Sequence, residues 1–157
     1  MRARVIGIGG AAAGDDGVGL VVLDVLREAR ALSGVELIKV AEPTALVDLV
    51  EGAGLVVLVD AVVGACSAGD VMVLRAGALE QGGAQPLSSH GVDVAAALAL
   101  ARVMHGETAL GDVWIVGVGV RRIERGTVGL SPAVASAVPR AVDAVLECLA
   151  SYLISMS

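Results

Sequence analysis

Phenylalanine is missing from this chain, and only one Trp and one Tyr occur among its 157 residues. Any core it builds must therefore be aliphatic. Cysteine is scarce too: Cys66 and Cys148 stand alone, with no CxxC or CxxH spacing. That excludes a disulfide framework and a zinc ribbon. Lys and Arg number 11 against 17 acidic residues, and the net charge is -6. With no basic cluster, nucleic acid is set aside as a partner. Long apolar runs are also missing. The best candidate, Leu55 to Cys66, is broken by Asp60, well short of the roughly 18 to 20 residues a spanning helix needs. No membrane association is expected, and the absence of a leader pattern makes a cytoplasmic location the default expectation. Repeats, low-complexity tracts and domain linkers are absent, so residues 1–157 are expected to form a single domain.

What the chain does have is Ala and Val. Hydrophobic residues make up 56% and mean hydropathy is +0.83. This suits buried parallel strands and closely packed helices. Residues 3–9 predict a strand that runs into Gly9-Gly10, three alanines and Gly14. Asp15-Asp16-Gly17-Val18-Gly19 then opens a helix with apolar residues at Val18, Val21, Val22, Val25, Leu26 and Ala29. Val35 to Val40 is a second strand, followed by the Glu42-Pro43-Thr44 turn and a short helix ending at Gly52. Leu55 to Val59 is apolar on both faces, as a central parallel strand is, and is expected to end at Asp60. Val71 to Arg75 follows after about ten residues, too short for a parallel crossover, so this strand is expected to be antiparallel. Residues 76–90 are polar and Gly-rich, and a helix from about Val92 to His105 follows. Asp112 to Val120 is another two-sided strand, and Arg121 to Gly129 a charged loop. Ser131-Pro132 opens the last helical region with an N-cap and a first-position proline. Pro139 is expected to split it. The final helix buries Val142, Val145, Leu146 and Leu149, with Leu153 continuing the stripe. Strands alternating with helices give an α/β class with a mostly parallel sheet.

Three side chains stand out by position: Asp16 after the first strand, Asp60 after the third, and His90 just before a helix. Sites in open α/β sheets form outside the carboxyl ends of strands, where strand order reverses. If the second and third strands flank the first, Asp16 and Asp60 face each other across that crevice and His90 closes it. Two carboxylates and an imidazole suit a divalent metal such as nickel or zinc, with a coordination position left open. Blander roles compete. Asp15 is expected to cap its own helix, and Asp16 could serve the helix dipole. Asp60 could form a turn, and His90 could be a hydrogen-bonded loop residue. His105, at a helix end, is read as a partner for the C-terminal dipole.

Other chemistries fit less well. Gly7-x-Gly9-x-x-Ala12 matches a dinucleotide fingerprint, but two carboxylates would repel a pyrophosphate at that helix mouth. Glu42 also lies too far along to be its ribose ligand. Ser89, His90 and Asp60 could be read as a triad, yet no Gly-x-Ser-x-Gly elbow is present. Cys66 with His90 as base is a further option, although a small thiol there is more often simply packed.

Four segments together carry a resemblance. Gly-Ile-Gly-Gly leading to Gly14-Asp15-Asp16-Gly17-Val18-Gly19 resembles the opening of the nickel–iron hydrogenase maturation endopeptidases. Val59-Asp60-Ala61-Val62, Ser88-Ser89-His90-Gly91 and Gly129-Leu130-Ser131-Pro132-Ala133-Val134 resemble later segments of that family, in the same order and at similar spacing. Glu42-Pro43-Thr44 looks like the subgroup serving soluble, bidirectional hydrogenases. The chain departs from the family at Gly10, where Asn is usual, at the alanines that follow, and at Ala68-Gly69-Asp70. The resemblance implies a three-layer α/β/α fold of phosphorylase/hydrolase-like type, with a twisted five-stranded sheet. It implies an aspartyl-type endopeptidase that removes the C-terminal extension of a [NiFe] hydrogenase large-subunit precursor once nickel is inserted. It implies that Asp16, Asp60 and His90 are both the metal ligands and the catalytic residues, with nickel carried by the substrate or replaced by a surrogate divalent ion. Two other readings stay open: a non-cleaving chaperone or binding module for the nickel-loaded subunit, and a nucleotide-binding α/β protein.

Overall fold

The structure, a computed structural model, describes residues 2–29, 32–64, 66–77, 91–124 and 126–157. Its strands are β1 (Arg2–Ile8), β2 (Val35–Val40), β3 (Ala53–Val63), β4 (Val71–Arg75) and β5 (Asp112–Val120). Its α-helices among the described residues are α1 (Val18–Glu28), α2 (Leu46–Leu49), α3 (Gly91–His105) and α4 (Pro132–Ser155). The sheet order is β2-β1-β3-β5-β4. All neighbours are parallel except β4, which runs antiparallel to β5 at the edge. The short connection into β4 thus has the consequence expected of it.

Two apolar layers sandwich the sheet. Alternation along β3 sends Val57, Val59 and Ala61 to one face, where α1 and α4 cover them. Val56 and Leu58 go to the other, under α2 and α3. The central strands are buried on both faces because helices lie on both, which is why they read as unbroken Val and Leu. None of the helices among the described residues is long and apolar enough to cross a membrane.

Two boundaries differ from the sequence expectation. Asp60 does not end the third strand, because β3 continues to Val63. Its pairing with β1 stops at Gly7↔Val59, while pairing with β5 continues through Asp60↔Gly117 to Val63↔Val120. The strand outruns its neighbour, so Asp60 sits at a fork in the sheet rather than at a strand end. The charge disguised this, since a carboxylate after five apolar residues reads as punctuation.

Pro139 does not split the last helix, and α4 is continuous from Pro132 to Ser155. Pro139 and Ala135, whose carbonyl loses its donor, both lie on the exposed side. Water can satisfy that carbonyl, and the buried stripe of Val134, Ala137, Val138, Ala141, Val145 and Leu149 runs past it uninterrupted. Leu153, in contrast, leaves the stripe and is 64% exposed.

Candidate functional site

The site begins with glycines. The first turn of α1 crosses directly over the carboxyl ends of β1 and β3. A Cβ on Gly19 would overlap the Val59 carbonyl oxygen and lie 3.0 Å from that of Ile8. A Cβ on Gly7 would lie 2.6 Å from the Gly19 carbonyl oxygen. Only glycine allows so close an approach of backbone to backbone. The 3-10 turn Gly14–Gly17, which carries both aspartates, is thereby pressed onto the fork and packs against β3.

Asp16 and Asp60 are the buried charged residues among those described, 5% and 4% exposed. The Asp16 Oδ2 accepts the Gly10 N–H at 3.0 Å. The Asp60 Oδ1 accepts the N–H of Ala61 at 2.8 Å. Asp60 shares its face of β3 with Val56 and Leu58, the face that α3 covers. The strand order reverses at β1, as the crevice argument required, and the two carboxylates flank that switch point. His90, the third expected ligand, lies outside the described residues; α3 starts one residue after it. Among the described residues no group of three His, Cys, Asp or Glu side chains is arranged to hold a metal. Any such centre in this crevice needs a further donor beside the two aspartates.

Asp15 corrects a sequence expectation. It does not cap its own helix: α1 has Gly17 at its N-cap and no side-chain cap. Instead Asp15 accepts the Ser131 backbone N–H at 2.6 Å and the Ser131 hydroxyl at 2.8 Å. It thus satisfies the N-terminus of α4, where a negative charge is favoured. Ser131 holds the expected N-cap position, but its hydroxyl is spent on Asp15. Only Ser131-Pro132 flagged that helix start; nothing local could name the distant carboxylate. Asp15→Ala should cost about 1 to 2 kcal/mol of stability, read as a lower denaturant midpoint with unchanged slope.

The loops around the crevice are laced together. Gly14 N–H donates to the Thr127 carbonyl at 2.8 Å, and Gly126 N–H to that of Ala12 at 2.6 Å. Ala13 and Thr127 form a parallel bridge. The segment after β5 is therefore fastened to the segment after β1.

This geometry disfavours the competing chemistries. In a phosphate loop the Gly10 N–H would face the ligand; here a carboxylate occupies it. Cys66 lies beside Met72, with the two sulfurs 4.0 Å apart. Burial, and then the nearby charge of Asp70, push its thiol upward. It is held protonated at neutral pH, the reverse of an activated nucleophile. His105 faces Asp48 and Glu51 of the α2 region, at 3.5 and 3.3 Å. It joins helix α3 to its neighbour in addition to standing at a helix C-terminus.

Comparison with known proteins agrees with the architecture. The fold is similar to that of hydrogenase maturating endopeptidase HybD from E. coli, with a TM-score of 0.79 and 24% identity over 96% of this chain and 93% of that one. It is similar to [NiFe] hydrogenase maturation protease HybD from Thermococcus kodakarensis, with a TM-score of 0.77 and 22% identity over 94% and 99%. It also resembles a hydrogenase 2 maturation peptidase from a Thaumarchaeota archaeon, with a TM-score of 0.68 and 27% identity over 95% and 98%. No curated protein sequence matches significantly. The family model HycI, hydrogenase maturation protease, matches residues 23–148. Asp60 and His90 fall inside that stretch and Asp16 just before it. The chain belongs to the hydrogenase maturation protease family and is a peptidase.

Proposed function

We propose that this chain removes the C-terminal extension of a [NiFe] hydrogenase large-subunit precursor, and that nickel already seated in the precursor is the signal it recognises. The observation that carries this reading is the pair of buried carboxylates at the sheet fork. Carboxylates buried at the mouth of a crevice are suited to binding a cation brought to them. A nickel ion in the substrate supplies that cation. Asp16 and Asp60 offer carboxylate oxygens and His90 an imidazole, a donor set suited to nickel. Three protein donors leave coordination positions for the precursor's own ligands. A nickel-free precursor lacks the ion that these donors would bind, so it docks poorly.

Docking through the metal holds the adjacent peptide in the crevice, and such positioning supplies much of a rate enhancement. The attacking water is activated either by Asp60 as general base, an aspartyl-type mechanism, or by the substrate's nickel as Lewis acid. Both cysteines are free thiols, which suits a reducing compartment, and we place the reaction in the cytoplasm.

The test is incubation of the unprocessed large subunit, with and without nickel, read by mass spectrometry. Wild type should remove the tail from the nickel-loaded form alone. His90→Ala should slow this by at least about a hundredfold. Undiminished processing by that variant, or equal cleavage of nickel-free precursor, would sink metal recognition. A stable complex without any mass change would instead establish a non-cleaving chaperone.

A further inference from the structure

Beyond the fork lies the carboxyl end of β5. Arg121 is the first residue past that strand, and it is exposed. It lines two hollows at once. One, of about 460 Å³, is bounded by Asp15, Arg122, Glu124 and Ser131. The other, of about 450 Å³, is bounded by Gly64, Cys66, Ser67, Ala68 and Val120. Arg121 is common to both, between Asp15 on one side and the loop after β3 on the other.

The polar groups lining these hollows are mostly engaged. Asp15 accepts two hydrogen bonds from Ser131. Arg122 Nε donates to Glu124 at 2.9 Å. Arg121, by contrast, has no hydrogen-bond or ion-pair partner among the described residues. Arg121 is therefore the arginine lining these hollows whose guanidinium is left to a ligand. Both walls are also fixed. The first is held by the bonds between residues 12–14 and 126–127. In the second, Gly69 N–H donates to the Gly119 carbonyl at 2.8 Å, and Arg140 donates to the Gly69 carbonyl at 2.7 Å. An unpaired guanidinium beside these braced loops is suited to bidentate capture of a carboxylate.

We propose that Arg121 is a specificity subsite for a carboxylate on the peptide tail that this protease removes. The inference rests on the peptidase reading above. Val63 pairs with Val120, so Arg121 stands about four residues beyond the level of Asp60, roughly 13 Å along the strand direction. A tail anchored at the fork and running out extended reaches the guanidinium within a few residues. The carboxylate is either an acidic side chain of the tail or its free terminus.

The experiment compares wild type with Arg121→Gln, Arg121→Lys and Arg121→Glu on nickel-loaded precursor. KM should rise about fivefold for the Gln variant with kcat held within about twofold. Lys should restore part of the loss, and Glu should exceed it. Precursors with tail Asp and Glu replaced by amides, and separately with an amidated C-terminus, identify the source. Against the right one wild type should lose the same factor and Arg121→Gln should lose nothing more. Binding of the isolated synthetic tail peptide, as free acid and as amide, is measured in parallel by fluorescence anisotropy. If wild type binds this peptide in an Arg121-dependent manner but does not cut the precursor, the proposed function fails and the subsite stands. If Arg121→Gln matches wild type in KM on nickel-loaded precursor, the subsite is overturned.

Discussion

Asp60→Asn should abolish tail removal while leaving the protein folded. The loss expected is about 10² to 10⁴-fold in turnover of nickel-loaded precursor. The amide is nearly isosteric, and its carbonyl oxygen can still accept the Ala61 N–H that Asp60 holds at 2.8 Å. What disappears is the charge. A neutral amide, 4% exposed like the carboxylate it replaces, cannot serve as a general base or draw a cation to the fork. Asp16→Asn should behave alike, with Oδ1 of the new amide serving the Gly10 N–H. The paired measurement is a mass-spectrometric time course beside a denaturant titration. A variant that loses activity and stability together would show a structural carboxylate. One that keeps full activity would remove Asp60 from the chemistry.

Gly19→Ala should have the largest effect on stability. Intrinsic helix propensity predicts the opposite sign, since Ala in a helix is favoured over Gly by about 1 kcal/mol. Here, however, the new methyl group would overlap the Val59 carbonyl and crowd that of Ile8. Backbone on both strands would have to move, or α1 would have to lift from the fork. A loss of about 3 kcal/mol is expected, lowering Tm by roughly 6 to 12 °C. Gly77→Ala is the control, since its added Cβ meets nothing within 4 Å; it should stay within about 0.5 kcal/mol of wild type. A stabilised Gly19→Ala would mean that helix propensity, not close packing, governs this position. Lifting α1 would also separate the Asp16 turn from β3, so tail removal should fall more than stability alone explains.

Most of the architecture was legible in the chain because its strands are pure. Leu55 to Val59 and Asp112 to Val120 have no polar face, and only a sheet covered on both sides explains that. The crevice followed from strand order, and Asp16 and Asp60 were visible because carboxylates beside such runs are expensive. The misreadings have a shared physical origin. Asp60 within β3, Pro139 within α4 and Asp15 beneath Ser131 each depend on a partner far away in sequence. β5 carries β3 past its expected end. The buried stripe carries α4 through a proline that local rules treat as a break. Arg121 gave no signal either, because an arginine in a charged loop is ordinary until its neighbours are seen to be paired with each other.

The bond between Asp15 and Ser131 has a consequence for how the molecule is made. Its partners are separated by 116 positions in the sequence. The wall of the crevice held by this contact therefore cannot form until the helix that begins at Pro132 has left the ribosome. Closing a loop of that length is slow compared with local pairing. Strand β3, which carries Asp60, and the turn after β1, which carries Asp16, precede it in the chain. The complete wall of the crevice is thus among the last parts of the molecule to be made.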